Sequence, residues 1–329
     1  MPPFVKNFCR RRKRPPPQRR GISRSEFVVV TASLMVVLAI GIPALMQARA
    51  KARRQYCELR LARLGVALHQ FEAELAEFPG FQNRGRQSAA PATVTVGWAA
   101  TILPYLSSSA ADEPRPGQPP LAEGPPPNRE ESSRDLPAPD DYLAALNCPA
   151  IGNQHEPVLS YIVNCGMPDA QRPPLDYRAN GIFLNRVSGT DHVDRGYLQR
   201  HDGESSTLLM SENLDAGRWT DFDEFKTGFV WRAAFLDGVP APGPELLAIN
   251  QRPGTGTGNQ LLPTARPSSL HPRGVNCLMA DGSTAFLDQR IDYLVYVQLM
   301  TPDDEGTIDP ETGEPPPNPY RRPPMPAEP

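Results

Sequence analysis

Hydrophobic and polar positions divide the N-terminal part of the chain into two helical segments. The first, residues 27–46, contains 20 residues and no charged side chain. A helix of this length is about 30 Å long, which matches the hydrocarbon core of a bilayer. A helix in a soluble core would show a polar face, and this segment has none. The pattern therefore predicts a transmembrane helix over residues 22–46, kinked at Pro43.

The second segment, residues 47–80, has a single apolar stripe. Its apolar positions are separated alternately by four and three residues, which is the spacing of one helical face. They are Cys57, Leu61, Leu64, Leu68, Phe71, Leu75 and Phe78. Pro79 and Gly80 predict the end of the helix. We expect this amphipathic stem helix to pack on the chain's own sheet, with a coiled coil as the alternative, and His69 beside the stripe to be structural.

Residues 81–300 show the short apolar runs of an α+β domain with an antiparallel sheet. The predicted elements are a strand and an apolar segment within 94–106, a short helix at 142–149, strands at 158–164 and 180–185, a turn and strand over 202–212, and a closing helix at 291–300. Asp281 and Gly282 lie between two strand-like runs, and this pair predicts a hairpin with a type I′ turn. One face of that hairpin is expected to be buried.

Proline content marks two segments that depart from this pattern. The chain contains 40 Pro and 25 Gly, and only 39% of its residues are hydrophobic. Nine prolines fall in an insertion at 111–140 and ten in the tail at 301–329. Such segments bury too little apolar surface to offset the entropy of ordering. We therefore expect both to be disordered.

The net charge of −3 combines a basic N-terminal part with an acidic domain. Residues 1–20 carry eight Lys and Arg and no acidic residue, which predicts a cytoplasmic N-terminus. The first 63 residues hold 15 of the 34 basic and 2 of the 37 acidic residues, which leaves 19 basic and 35 acidic residues after them. A domain this acidic is poorly suited to bind nucleic acid or an anionic membrane surface.

Five cysteines are present, and Cys9 lies in the basic leader. The other four, Cys57, Cys148, Cys165 and Cys277, allow three pairings in an oxidising compartment. We favour a bridge between Cys57 and Cys148, because it would join the stem to the domain, and Cys148 with Cys165 is the next choice. Cys277 lies in a strand pattern and fits a buried apolar role best.

Candidate metal ligands and catalytic groups are sparse. His271 and Asp281 at the two ends of a strand could hold a cation, and six acidic residues offer oxygen ligands for calcium. These are Asp191, Asp194, Asp215, Asp221, Asp223 and Glu224. We favour a structural role for His271, Asp281 and Gly282, since one His and one Asp are too few for a defined site. We expect no cofactor and no catalytic residue, because the chain lacks an H-E-x-x-H motif, a Cys-x-x-Cys pair and a complete nucleophile elbow.

The boundary between the basic leader and the apolar span resembles the type IV prepilin signature. Gly21 ends the leader, Ile22 is apolar, and Glu26 lies four residues after Ile22 and directly before the apolar span. The resemblance implies that a prepilin peptidase removes residues 1–21 and that Ile22 becomes a methylated N-terminus. It also implies that Glu26 faces the N-terminal amine of a neighbouring subunit, where pairing offsets the cost of a carboxylate in lipid. A secretory signal peptide is the alternative.

His271, nine intervening residues and then Asp281-Gly282 resemble the H-x(9)-D-G motif of a large bacterial family. That family joins a prepilin-type segment to a C-terminal domain known only as processing-associated. Further stretches resemble it in the same order: 41–44, 53–57, 103–106, Cys148-Pro149, Tyr161 with Asn164 and Gly166, Asn180-Gly181, and Asp202-Gly203 with Ser206, Thr207 and Glu212.

The resemblance implies a pilin-like fold and a single-pass inner-membrane protein, with its N-terminus cytoplasmic and its domain outside. The expected function is that of a non-enzymatic pseudopilin-like subunit of a type II secretion or type IV pilus-like assembly. Its expected partners are the prepilin peptidase, the membrane and other pilin-like subunits. A stand-alone membrane-anchored binding module is the main alternative, and an exported hydrolase is a more distant one.

Overall fold

The computed structural model describes ten stretches of the chain: residues 24–86, 93–110, 145–148, 151, 158–170, 176–189, 191–242, 248–251, 265–317 and 319–320. The predicted leader with Gly21 and Ile22 and the predicted insertion at 111–140 lie outside these stretches. Glu26 lies in a helix, but its side chain is also outside the description. The chain divides into two compact units, residues 1–49 and 50–329, and each is treated by itself below.

The described residues form five α-helices and nine strands. The helices are α1 (Arg24–Leu75), α2 (Trp98–Ala110), α3 (Arg195–Arg200), α4 (Glu224–Thr227) and α5 (Tyr293–Met300). The strands are β1 (Gln82–Arg86), β2 (Thr93–Gly97), β3 (Tyr161–Gly166), β4 (Leu208–Glu212), β5 (Gly228–Val230), β6 (Phe235–Leu236), β7 (Val239–Pro240), β8 (Gly274–Met279) and β9 (Thr284–Asp288). The fold is therefore mixed α+β, with a long N-terminal helix.

Within the first unit, the described residues all belong to α1. The large apolar side chains between Phe27 and Met46 are exposed, at roughly half to two thirds of their surface. Helix α1 continues through Pro43. In the described part of the chain, α1 contains the one helix segment that is long and apolar enough to cross a membrane. This segment fits a single-pass membrane anchor or a signal sequence.

Within the second unit, residues 50–75 of α1, called the stem segment here, bury the predicted stripe. Cys57, Leu61, Leu64 and Leu68 are fully buried, and Phe71 is 7% exposed. The prediction is wrong at its end, because α1 stops at Leu75, where Ala76 takes a positive φ of 56°. Leu75 is consequently 50% exposed. Phe78 lies in the loop after the helix, but its side chain is buried, and its N–H donates to the carbonyl of Val193 (2.9 Å).

A five-stranded sheet in the order β5-β3-β4-β8-β9 forms the centre of the domain. All neighbouring pairs are antiparallel except β3 and β5. Strands β3, β4 and β8 are buried along their whole length. The hairpin was expected to bury one face, but its strand β8 is buried on both. Leu278 of β8 faces the stem segment at Gly65, whereas the side-chain amide of Asn164 in β3 donates to the carbonyl of Met300 at the end of α5 (2.6 Å).

The hairpin of β8 and β9 is confirmed, but its turn differs from the predicted type I′. The N–H of Gly282 donates to the carbonyl of Met279 (3.0 Å), and that of Met279 donates to the carbonyl of Ser283 (2.8 Å). Gly282 has a φ of 86°, and Asp281 is not among the described residues with positive φ. Asp281 instead accepts from the N–H of Ser283 (2.8 Å). Glycine alone therefore provides the left-handed residue of the turn.

The predicted strand at residues 180–185 is wrong, because this segment turns back beneath β3. The N–H groups of Ile182 and Phe183 both donate to the carbonyl of Asn164 (3.1 and 2.8 Å). Gly166 and Gly181 make the approach possible, since a Cβ on Gly181 would lie 2.3 Å from the nitrogen of Gly166. These two N–H groups therefore share one carbonyl of β3 and form no ladder.

The prediction that the tail is disordered is wrong for residues 301–317 and 319–320, which pack on the domain. Thr301, Thr307 and Tyr320 are fully buried. The amide of Asn180 holds the backbone of Ile308 in both directions, donating to its carbonyl (2.6 Å) and accepting from its N–H (3.1 Å). Tyr320 stacks on Trp231, with 6.2 Å between ring centroids. Proline-rich chain is ordered here because side-chain amides and aromatic rings hold it in place.

The turn geometry yields a stability prediction. We expect Gly282→Val to lower the free energy of unfolding by about 1–3 kcal/mol, because a β-branched residue at this positive φ is strained. Gly282→Asn is the matched control, since asparagine tolerates the left-handed region and should cost less. Denaturant unfolding of the three proteins measures both effects. Equal stability of the Val and Asn variants would show that φ at this position is not limiting.

Candidate functional site at the junction of stem and sheet

His271 and Asp281, the two ends of the sequence motif, lie at opposite ends of β8 and form no common site. Asp281 is exposed in the hairpin turn, where it accepts from the N–H and hydroxyl of Ser283 (2.8 and 2.6 Å). His271 is 5% exposed in the loop before β8, and its Nε2 lies 3.1 Å from Oε1 of Glu212. The partner of His271 is therefore Glu212, not Asp281.

Glu212 ends β4 and is 1% exposed. Its Oε2 accepts from the N–H of Asn276 (2.8 Å), and its Oε1 accepts from the side-chain amide of Asn276 (3.1 Å). With His271, three N–H groups surround the carboxylate. A buried carboxylate is tolerated when such donors replace its water.

The same network reaches the stem segment. Nε of Arg54 donates to the side-chain oxygen of Asn276 (3.3 Å), and the Asn276 amide donates back to the carbonyl of Arg54 (3.4 Å). The Arg54 guanidinium also lies over the ring of Phe286 in β9, 3.7 Å from its centroid. Asn276 therefore links a buried carboxylate of the sheet to the backbone of α1.

A disulfide between Cys57 and Cys148 lies beside this network. Their Cα atoms are 5.3 Å apart, within the usual range for a disulfide. This is the pairing that the sequence favoured over Cys148 with Cys165. The hydroxyl of the buried Tyr161 in β3 donates to the carbonyl of Cys57 (3.1 Å). One donor atom from each of Cys57, Cys148, Glu212 and His271 lies within 4.8 Å of the other three.

The two remaining described cysteines are buried free thiols. Burial raises the pKa of Cys277 to about 12, and burial followed by nearby carboxylates raises that of Cys165 well above its usual value. Both are therefore protonated and unreactive at neutral pH. The small buried role expected for Cys277 fits this environment.

Residues 46–294 match the sequence model of a protein family, SBP_bac_10, which is described as "Protein of unknown function (DUF1559)". The chain belongs to this family. The match includes the stem segment, the sheet and the junction with His271, whereas Gly21, Ile22 and Glu26 precede it. No curated protein and no solved structure matches the chain.

As a DUF1559 protein, the chain uses its motif residues to hold backbone. Asn164 donates to the carbonyls of Leu208 (2.8 Å) and Met300. A carboxylate oxygen of Asp202 accepts from the N–H of Asp304 (2.9 Å). His69, which is not a motif residue, lies with Nδ1 2.9 Å from Nη2 of Arg195, and burial followed by that guanidinium lowers the pKa of the imidazole. These contacts place the motif residues where distant segments meet.

The six acidic residues suggested as calcium ligands are not brought together. Asp194 and Asp223 cap helices α3 and α4, and Asp221 accepts from the N–H of Arg218 (2.9 Å). Asp215 pairs with the buried Arg266 (2.7 Å), and Asp191 accepts from the N–H of Arg178 (3.3 Å). In the described stretches, the four residues at the disulfide are the one group of at least three His, Cys, Asp or Glu side chains whose donor atoms lie within 4.8 Å of one another.

Glu224, the sixth of those residues, lies in a buried acidic cluster that sequence analysis missed. The N–H of Asp169 lies 3.2 Å from both carboxylate oxygens of Glu224. Burial, and then the Asp169 carboxylate, raise the pKa of Glu224 to about 8. Burial also raises the pKa values of Asp169 and Asp176. Nothing local in the sequence distinguishes Asp169 and Asp176 from surface residues.

No local pattern assigns a role to Arg54 or Asn276, and Glu212 is marked in the sequence only within the family resemblance. Their roles depend on contacts between positions far apart in the chain: Arg54 and Asn276 are 222 residues apart, and Asn276 and Glu212 are 64 apart. The polar end of an otherwise apolar strand was the one local signal, and it pointed to Glu212.

The motif residues should differ in their effect on stability. His271→Ala removes a donor from a buried carboxylate, so we expect the free energy of unfolding to fall by about 1–3 kcal/mol. Asp281→Ala alters an exposed turn and should cost less than about 1 kcal/mol. Denaturant unfolding of both variants in the oxidised protein checks the difference. An Asp281→Ala variant that is the less stable of the two would contradict this account of the junction.

The acidic cluster predicts that stability falls with rising pH. Because the pKa of folded Glu224 lies above its unfolded value of 4.5, its contribution is fully present below about pH 4.5 and is lost as the pH rises through about 8. We expect a fall of a few kcal/mol across this window. Glu224→Gln should flatten this profile in denaturant unfolding at several pH values. Glu311→Gln, at a side chain 60% exposed, is the control and should keep the wild-type slope.

Proposed function

We propose that this DUF1559 protein is a membrane-anchored, non-enzymatic structural subunit of a type II secretion or type IV pilus-like assembly. The observation that carries the proposal is the composition of α1. Its residues 27–46 expose apolar side chains along the segment, whereas its stem segment buries an apolar stripe on the sheet and is bound to the domain by a disulfide. One helix thus supplies both a membrane anchor and part of a folded core.

The leader supports the same proposal. Gly21, Ile22 and Glu26 stand where the prepilin signature requires them, directly before the apolar span. We propose that the prepilin peptidase cleaves after Gly21 at the inner membrane, with the N-terminus cytoplasmic and the domain outside. Glu26 would then pair with the N-terminal amine of a neighbouring pilin-like subunit, which offsets the cost of a charge in lipid.

We propose a non-enzymatic role because His271 and Glu212 are buried and hydrogen-bonded. His271 and Glu212 are 5% and 1% exposed, and their polar atoms are engaged with each other and with Asn276. A general acid or base must reach its substrate within hydrogen-bond distance. Burial keeps this pair from a substrate in solution and suits a structural role.

A membrane-anchored binding module is the second candidate, and a groove on the domain favours it. The groove has a volume of about 490 Å³. It is lined by Phe71 and Leu75 of the stem segment and by polar residues that include Arg84 and Arg186. Both arginines also hold the chain in place: Arg84 donates to the carbonyl of Val187 (2.7 Å), and Arg186 pairs with Glu77 (2.5 Å). A groove lined by both apolar and polar side chains can receive a small ligand or a peptide side chain.

Processing provides the test of the proposed function. We expect protein from membranes of cells with a prepilin peptidase to begin at Ile22 with a methylated amine, as seen by intact and N-terminal peptide mass spectrometry. Cleavage removes eight basic residues, so the net charge changes from −3 to −11. Gly21→Leu should block the change and leave Met1 in place, whereas Gly41→Leu, inside the apolar span, should be processed normally.

Other outcomes separate the candidates. An intact Met1 in membranes of peptidase-positive cells would contradict the pseudopilin proposal and leave the binding module in place. Cleavage near Ala50 with release of the domain would contradict both, because it would identify the span as a signal peptide.

A further inference from the structure

The disulfide between stem and sheet has an unusual neighbourhood. A disulfide requires no polar partner, yet Cys57 and Cys148 adjoin a carboxylate and an imidazole, and all four side chains are at most 5% exposed. Sγ of Cys148 lies 3.8 Å from Oε1 of Glu212. Four donor atoms within 4.8 Å of one another can approach the separations of about 3.3–3.8 Å between ligands of a tetrahedral zinc ion.

We propose that the reduced form of this junction binds zinc through Cys57, Cys148, Glu212 and His271. Two thiolates, an imidazole and a carboxylate are ligand types that zinc accepts, and a structural zinc ion takes four of them. The thiolates exclude calcium and magnesium, which take oxygen ligands. The proposal is independent of assembly into a filament, because all four ligands belong to one domain.

The four ligands come from separate parts of the chain. Cys57 lies on α1, Cys148 ends a short described stretch, Glu212 ends β4, and His271 precedes β8. A bound zinc ion would therefore join the same segments that the disulfide joins and add two more. Asn276 supplies the outer contact expected of a zinc ligand's neighbour, since it donates to both oxygens of Glu212.

The disulfide and the zinc ion cannot occupy the junction at the same time. The conversion from one to the other balances in atoms and electrons. An external dithiol attacks the disulfide, leaves two protein thiols and becomes a disulfide itself. Zinc then displaces the two thiol protons to solvent and takes Nε2 of His271, whose proton is lost to solvent while Nδ1 takes one up, so that the bound imidazole is neutral with its proton on Nδ1. The site would hold one zinc ion, two thiolates and one carboxylate, a net charge of −1. Arg54, which bonds to Asn276, lies on the stem segment as a nearby positive charge.

The test uses the full-length chain in detergent, purified without a histidine tag. One sample is kept oxidised, and the other is reduced with a dithiol and freed of it without oxygen. Cobalt is added as the spectroscopic probe, followed by zinc as the competitor. We expect the reduced protein alone to show thiolate-to-cobalt absorption and the visible bands of tetrahedral cobalt, with about one ion bound per chain and displaced by zinc. Zinc should also raise the Tm of the reduced protein and leave the oxidised protein unchanged.

Variants identify the ligands. Glu212→Gln and His271→Asn should weaken zinc binding by the reduced protein on the order of 100-fold or more, as measured against a chromophoric chelator. Cys277→Ser and Cys165→Ala change the two described free cysteines and should bind as the wild type does. The Tm of each oxidised variant shows whether it folds.

The wild-type spectrum decides the proposal even if a variant fails to fold. Reduced protein that binds no cobalt, or oxidised protein that binds it equally, would overturn the proposal. Folded Glu212→Gln and His271→Asn proteins that bind zinc as tightly as the wild type would also overturn it, because the metal would then lie elsewhere.

Discussion

The burial of the Glu212 carboxylate constrains the rest of the junction. A carboxylate that is 1% exposed at the end of a central strand needs donors from the protein, and Asn276 and His271 provide them. Asn276 can do so only when β8 lies beside β4 in the observed register. Its remaining bonds then place Arg54 of α1 over the same point. The hydrogen bonds around one buried carboxylate thus extend to the stem segment, and the disulfide adds a covalent bond beside them.

Burial of the sheet on both faces is the second constraint, and it explains a glycine in the middle of a long helix. Glycine costs about 1 kcal/mol relative to alanine in a helix interior. At Gly65, however, a Cβ would lie 2.9 Å from Cδ2 of Leu278, so a larger residue would push the stem segment away from β8. On the other face, Asn164 binds the end of α5. Helices therefore cover the central strands on both faces, which is why these strands show no clean alternation of polar and apolar residues.

Elements with a local pattern could be predicted from the sequence, and elements that depend on distant contacts could not. The apolar span, the stripe from Cys57 to Phe71, the hairpin at Gly282 and the closing helix α5 have their own periodicity or turn residues. By contrast, the tail is rich in proline, and its order depends on Asn180 and Trp231, which are far away in the chain. The acidic cluster could not be predicted for the same reason, since Asp169, Asp176 and Glu224 come together only in the folded chain. The acidic residues offered as calcium ligands lie apart in the described structure, where Asp194 and Asp223 cap helices and Asp215 forms an ion pair.

The spacing of the family motif has a geometric explanation in this fold. Six residues of β8, about 20 Å of strand, separate the loop of His271 from the turn of Asp281 and Gly282. At one end, His271 and Asn276 tie the strand to Glu212 and Arg54. At the other end, a Cβ on Gly282 would lie 3.3 Å from Nε2 of His69 on the stem segment. Arg54 and His69 are 15 residues apart, about 22 Å along the helix, so the strand and the stem segment run side by side over nearly equal lengths. The spacing between His271 and Asp281 is thus set mainly by β8, whose Asn276 bonds to Arg54 of α1 and whose following turn brings Gly282 close to His69.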